Sequence, residues 1–326
     1  MSQLILGFGE ALVDVLPSGE VVGGAPLNFS VRAAQLGQQL GWTAALISRI
    51  GDDARGQKIL GLLQSTLLDT CAIQVDPSRP TGYVDVTLQD GSPTYVIGRD
   101  VAWDAIAFDQ TAHELSRRAA AICFGTLAQR SPLTAATLSS CLEIAGQAIK
   151  IFDINLRLPY PSLDIIQRSL HQADVLKCNE DELQLLAKWL ELDTTTGSQA
   201  DNFDNSTATS QNPSKQIAAQ NQSAAISVSL QQRFDLNCVF WTRGSQGCIL
   251  QRANRLTTAP VPSLPQAADA DSVGAGDAAS AALAIGLVAR WPDEKIVQLA
   301  NYCGAFAASQ RGATTPFPSQ SLANQF

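Results

Sequence analysis

Asp271-Ser272-Val273-Gly274-Ala275-Gly276-Asp277 leads without a break into the apolar run Ala278–Val288. Two glycines two residues apart let the backbone turn sharply and approach a ligand closely. A helix starting there leaves its first N–H groups without intrahelical acceptors and partly positive, so the stretch is suited to receive an anion. An Asp at such a helix start also has a plainer role, stabilising the positive helix end by about 0.3–1 kcal/mol. From the residues alone, both readings of Asp277 stand.

Outward from that segment, short apolar runs alternate with longer amphipathic ones, the pattern of βα units that build a mostly parallel sheet under helices. Strands are predicted at Leu4–Gly9, Trp42–Ser48, Ala120–Phe124, Ile149–Ile154, Val175–Cys178 and Asn237–Thr242. Helices are predicted at Leu27–Leu36, Gly56–Leu63, Leu133–Ala148, Glu180–Leu190, Gly276–Val288 and Asp293–Gln310. One interval breaks this rhythm. Tyr83, Asp85, Thr87 and Gln89 alternate with Val84, Val86 and Leu88, and Asp90-Gly91 is a turn signal, so residues 81–99 predict a hairpin. Together with strand near 13–22 it would make a small flap over a cleft, a device that excludes water during group transfer. The segment 193–232 is rich in Ser, Thr, Asn, Gln and Ala, a composition that predicts a flexible surface insertion. The expectation is one domain over residues 1–326 carrying these two additions.

Composition narrows the partners. A net charge of -8 with only 22 Lys+Arg argues against nucleic acid, whose phosphates reward basic patches. Seven cysteines scattered from Cys71 to Cys303, none in a CxxC pair, suggest buried thiols in a reducing cytoplasm rather than disulfides or a zinc site. The N-terminus has no basic region or cleavage pattern ahead of Leu4–Gly7, and Ala278–Ala289 is far shorter than the ~20 residues a membrane span needs. A soluble cytoplasmic protein acting on a small molecule, with neither membrane nor nucleic acid as partner, is expected.

Some apparent motifs fail on inspection. Gly7-Phe8-Gly9 follows a strand, but Leu12 stands where a dinucleotide fingerprint needs Gly or Ala. In Gly51-Asp52-Asp53-Ala54-Arg55-Gly56-Gln57-Lys58, Gln57 occupies the place of the phosphate-gripping Lys of a P-loop. Two histidines, His113 and His171, leave little material for a triad or a multi-His metal site.

The segment Asp271–Asp277 resembles the D-T-x-G-A-G-D signature of the ribokinase-like (PfkB) carbohydrate kinases. Other stretches agree in order. Gly9-Glu10-Ala11-Leu12-Val13-Asp14, Gly23-Gly24-Ala25-Pro26-Leu27-Asn28 and Ile50–Gly56 resemble the fructokinase branch. Asp153-Ile154-Asn155-Leu156-Arg157 resembles the family's D-x-N-x-R element, Asn179–Glu182 its N-x-x-E motif, and Thr242–Gly247 its nucleotide loop. Ser272 replaces the usual Thr and keeps the hydroxyl. Ala279 and Ala282 stand where Phe and Gly are frequent, and Arg243 replaces an apolar residue, all on the nucleotide side.

The resemblance implies a three-layer α/β/α fold with a mostly parallel central sheet and a small β-strand lid, through which relatives dimerise. It implies ATP-dependent phosphorylation of a sugar hydroxyl, with D-fructose favoured and fructose 6-phosphate as product. Asp277 would be the general base, and the N–H groups of Gly274, Ala275, Gly276 and Asp277 an anion hole. Asp14, Gly23, Gly24 and Asn28 would hold the sugar; for Asn28 an N-cap role also fits. Arg157 would meet a phosphate or pair with Asp153, and both readings stand. Asn179, Thr242, Gly244, Gly247 and Asn301 would line the nucleotide. Glu182 would order water around Mg²⁺, although Asn179 and Glu182 also fit a helix cap, and Asp271 with Arg311-Gly312-Ala313 would frame a site for K⁺. The alternatives are a kinase for another sugar or sugar acid, such as 2-keto-3-deoxygluconate or ribose, and a catalytically silent member with a binding role.

Overall fold

The computed structural model describes residues 2–89, 92–192, 213–253 and 255–318. Its strands are β1 (Leu4–Phe8), β2 (Leu12–Leu16), β3 (Gly19–Gly23), β4 (Thr43–Gly51), β5 (Ile73–Asp76), β6 (Gly82–Gln89), β7 (Ser92–Ile97), β8 (Ala119–Phe124), β9 (Ile149–Asp153), β10 (Val175–Asn179), β11 (Cys238–Thr242), β12 (Cys248–Arg252) and β13 (Arg255–Thr258). The helices are α1 (Ala25–Gln38), α2 (Ala54–Leu63), α3 (Gln110–Arg118), α4 (Pro132–Ile144), α5 (Leu163–Gln172), α6 (Glu180–Trp189), α7 (Pro213–Phe234), α8 (Ala275–Val288) and α9 (Asp293–Ala308).

Nine strands form the main sheet in the order β13-β12-β11-β10-β9-β8-β1-β4-β5. From β11 to β5 every pairing is parallel, and β12 and β13 add an antiparallel edge. The central strand explains the layering. All five residues of β1 are buried, and with a side-chain period of two Leu4, Leu6 and Phe8 enter one core while Ile5 enters the other. The first core takes its helical cover from α3 to α7 and the second from α1, α2, α8 and α9. A parallel sheet places its ligand crevice beyond the carboxyl ends of the strands. Glu10, Asp153, Asn179 and Thr242 all lie at or just past such ends.

A second, four-stranded sheet in the order β3-β2-β6-β7 is the predicted lid; the Asp90-Gly91 turn lies outside the described residues. Two of its connections to the body, those flanking the β6–β7 hairpin, are pinned. Asp53 caps α2 through the Gly56 N–H at 2.8 Å and accepts from Thr81 N at 2.8 Å and Thr81 Oγ1 at 2.7 Å, just before β6. Arg130 donates to both Asp104 oxygens at 2.8 and 2.9 Å and to the Gly98 carbonyl just after β7, with its guanidinium 3.9 Å from the Trp103 ring centre.

The insertion differs from its sequence reading. Residues 193–212 lie outside the described residues, but Pro213–Phe234 is helix α7. Ile226, Leu230 and Phe234 recur every four residues and are buried in the first core. Burial contributes about 1.5–3 kcal/mol for each such side chain, enough to dock a helix whose overall composition is polar. Average composition over forty residues concealed that spacing.

Candidate active site

Helix α8 begins at Gly274, whose φ of 78° is left-handed. A Cβ there would stand 2.5 Å from Ala313 Cβ, so only glycine lets the turn after α9 pack so close. Asp271 ties the two loops together, its Oδ1 accepting from Val273 N at 3.0 Å and its Oδ2 from Gly312 N at 3.2 Å. Within the turn Ala275 N donates to Ser272 O at 3.3 Å. The amides of Gly276 and Asp277 belong to the first helical turn, where intrahelical acceptors run out, so they carry the positive end of the dipole.

Asp277 is half-buried on that turn, and Asn28 Nδ2 of α1 donates to its Oδ2 at 2.8 Å. Burial and the neighbouring Asp153 push its carboxyl up to about 6, against the lowering pull of Lys177, Asn28 and Arg157. Such a carboxylate is charged near neutrality and basic enough to accept a proton.

Beneath the turn lies a buried ion pair. Lys177 Nζ is 3.0 Å from Asp153 Oδ1, and Ser280 Oγ of α8 donates to Asp153 Oδ2 at 2.8 Å. The ammonium is 3.2 Å from where a Cβ on Gly276 would stand, directly under the first turn of α8. Burial would depress its affinity for the proton, but Asp153, Asp277 and Glu182 outweigh that and hold it well above the ordinary lysine range. Sequence reasoning did not single out Lys177; the signal available was a charge inside the apolar run Val175–Cys178. The pair also resolves Arg157. Asp153 pairs with Lys177, while Arg157 is exposed and its charge lowers the carboxyls of Glu10, Asp14 and Asp277.

On the lid side, half-buried Asp14 lies on β2, opposite Val21 of β3, and Gly23 pairs with Leu12. Partial burial raises the Asp14 carboxyl. Gly24 has a φ of 113°, and a Cβ there would meet the Glu10 carbonyl at 2.6 Å; this places Asn28 one turn into α1 and facing Asp277. Asn28 is therefore no N-cap, since Gly24 holds that position. Glu10 is buried beside the same cleft, and burial pushes its carboxyl up to about 7.

On the other side, Asn179 and Glu182 form a reciprocal capping box: Asn179 Oδ1 accepts from Glu182 N and Glu182 Oε2 from Asn179 N, both at 2.8 Å. Glu182 Oε1 also accepts from Leu156 N at 2.7 Å, which pins the loop after β9. Asn179 itself is exposed to the cleft edge. Thr242 ends β11 opposite Cys248, and Gly244 and Gly247 shape the turn between them. Asn301 is buried behind that turn: its Oδ1 accepts from Cys248 N at 2.9 Å and its Nδ2 donates to Ala259 O at 2.7 Å. Its amide is used in holding the turn and the 259–260 strand end together, so it supports the loop from below.

The pfkB family carbohydrate kinase pattern matches residues 18–320. The chain belongs to that family. A Salmonella typhimurium fructokinase is 27% identical over 98% of this chain and 98% of its own, and fructokinase-1 of Oryza sativa subsp. japonica is 26% identical over 98% and 96%. Among solved structures, a Xylella fastidiosa fructokinase with bound ATP superposes with a TM-score of 0.73 at 21% identity, covering 98% of this chain and 96% of its own. A fructokinase double mutant from Vibrio cholerae O395, in a form with fructose, ADP and potassium ion, gives 0.70 at 23% identity, covering 98% and 96%.

Among the described residues of this pfkB kinase no group of three or more His, Cys, Asp or Glu is arranged to hold a metal ion. Both Glu182 oxygens are occupied by the Leu156 and Asn179 amides, so a magnesium beside Asn179 would keep its water and be carried by the substrate's own phosphates, the usual habit of that ion. No helix of the described residues is long and apolar enough to cross a membrane.

Proposed function

We propose that this carbohydrate kinase transfers the γ-phosphoryl of ATP to D-fructose, giving fructose 6-phosphate, with Asp277 as the base. The observation that carries the reading is the Asp277 carboxyl, pushed up to about 6 and oriented by Asn28 on the first turn of α8. Phosphoryl transfer asks for alignment and charge stabilisation more than for covalent help. The Gly276 and Asp277 amides, with the Lys177 charge below them, stabilise negative charge on the transferring group. Asp14 accepts hydrogen bonds from sugar hydroxyls, and its raised carboxyl is the cost of waiting half-buried for them. Arg157, exposed at the cleft, draws the phosphates toward the three carboxyls it already influences. Exposed Asn179 with Glu182 behind it orders water around magnesium, which when bound neutralises phosphate charge. Thr242, Gly244 and Gly247 line the nucleotide. Exposed Val21 and Val96 on the lid support a homodimer through that sheet.

The test is ATP consumption across a panel of fructose, ribose, 2-keto-3-deoxygluconate and related sugars, with Asp277→Asn as control. Fructose turned over well above the others supports the assignment. A different best sugar moves it within the family, and nucleotide binding without turnover of any sugar favours a silent member.

A further inference from the structure

Glu10 stands between β1 and β2 and is only 5% exposed, a rare state for a carboxylate. Its backbone is clamped. A Cβ on Gly9 would stand 2.7 Å from Pro26 Cγ, and one on Gly24 2.6 Å from the Glu10 carbonyl, so the chain entering the lid and the chain leaving it pass in contact at the start of α1. Burial raises the Glu10 carboxyl against the pull of its own amide and of the Arg157 and Arg130 charges. Among the described residues no other residue donates a hydrogen bond to it. A buried carboxyl group held in place without a donor is costly, and a ligand that supplies the donor relieves that cost.

The space for such a ligand is next to it. Glu10 lines a small cavity at the carboxyl ends of β1, β8 and β9, walled by the apolar faces of Phe29 and Phe124, with Thr126, Asp153 and Asn155 supplying polar groups. Two of those three are engaged elsewhere. Thr126 Oγ1 donates to Ile154 O at 2.9 Å, and Asp153 is held by Lys177 and Ser280. Glu10 and Asn155 are left with side chains that no other described residue uses. The volume, about 20 Å³, is room for one water-sized group. A sugar would therefore place a single hydroxyl in it and keep its ring outside. Outside lies the proposed base: Phe29 follows Asn28, which grips Asp277, and the Asp277 charge acts on Glu10, so cavity and base share one cleft.

We infer that this cavity is a subsite for one hydroxyl of the acceptor sugar and that Glu10 is the specificity-determining residue that receives it. Protonated or ionised, the carboxyl keeps an oxygen that accepts from the hydroxyl, and the Asn155 amide can both donate to it and accept from it. A site built to pair with a hydroxyl rejects the analogue lacking it far more strongly than an apolar pocket rejects a change of size. The inference deepens the kinase reading and rests on it, whichever sugar accepts.

It is tested with the sugar that is turned over and with its monodeoxy and mono-O-methyl analogues at each hydroxyl other than the one phosphorylated. In the wild type one position should stand out at which both analogues lose about 10–100-fold in kcat/KM, the effect of one hydrogen bond to a charged group. In Glu10→Leu, which keeps the bulk and accepts nothing, the parent sugar should lose as much while the deoxy analogue at that position loses little, so the two changes are not additive. Glu10→Ala enlarges the cavity and should gain on the matching O-methyl analogue relative to the parent. Equal losses on parent and deoxy analogues in Glu10→Leu, or no position in the wild type that rejects both kinds of analogue, overturns the inference and leaves a cavity that holds only water; the wild-type pattern decides even where a variant fails to fold. Should no sugar be turned over, the kinase reading fails, and calorimetric binding of the same sugars decides on Glu10. No binding, or binding that Glu10→Leu leaves unchanged, then overturns its role.

Discussion

Asn28 and Asp277, 249 residues apart, share a 2.8 Å hydrogen bond that joins the first turns of α1 and α8 across the cleft. The bond favours the ionised carboxylate, because an amide N–H has more to give to a charge than to a neutral acid. It orients the proposed base and lowers somewhat a basicity that burial and Asp153 raise.

Activity should therefore follow the protonation of Asp277. Its carboxyl is raised to about 6, so the base is ionised above that pH, and kcat/KM should fall as pH drops through it. Glu10, held up to about 7, keeps its proton longer, so Asp277 ionises first of the two. Asn28→Ala removes a lowering influence and should move the acid limb upward. A pH–rate profile of both enzymes checks this; an unmoved limb would detach Asn28 from the base.

Asp277→Asn should cost about 10²–10⁴-fold in kcat while nucleotide binding by calorimetry stays near wild type. The same change should raise the melting temperature near pH 8. The sign follows from linkage: a carboxyl whose folded-state pKa is raised favours the fold when protonated, and that contribution is lost as pH rises through about 6. The neutral amide escapes the loss, so the two proteins should converge in stability as pH falls from about 6 toward 3.8, the value of the unperturbed carboxyl.

Lys177→Met leaves Asp153 buried without its ion partner, a change that costs about 3–5 kcal/mol in comparable pairs. Replacing both, Lys177→Met with Asp153→Leu, should recover much of that stability but none of the activity. Urea unfolding and ATP-coupled turnover of the two variants separate the roles; recovery of turnover in the double variant would remove Lys177 from the anion hole.

Asn301→Ala leaves Cys248 N and Ala259 O without their partners, at about 1–3 kcal/mol for such buried groups. It should raise the KM for ATP through a loosened Gly244–Gly247 turn while sugar KM stays put. Initial-rate measurements varying each substrate in turn show which KM responds.

The strands and helices nearest the cleft were legible in the sequence because their apolar runs are short, bounded and strongly patterned, as in β1, β9, β10 and α8. The lid was legible through strict alternation at 83–89. Helix α7 was not, since the large apolar side chains on its buried face, Ile226, Leu230 and Phe234, stand among small and polar ones. Helices α3 and α5 and edge strands β12 and β13 also went unread, being short elements of mixed character. Of the two readings the sequence left open for Arg157, pairing with Asp153 gives way to the Lys177–Asp153 ion pair, and the hydrogen bonds of Asn301 to its neighbouring loops were not legible in the sequence.

The order of residues by itself determined which backbone could bend, at Gly24 and Gly274, and where a helix could begin with an acid on its first turn. These are local properties, set by φ/ψ freedom and unpaired amides within a few residues. Only the tertiary structure decided which charges meet. Lys177 beside Asp153 on the neighbouring strand and Asp277 of α8 beside Asn28 of α1 are pairings across the sheet and between helices, where burial and a low dielectric make a few ångströms count for more than residue type.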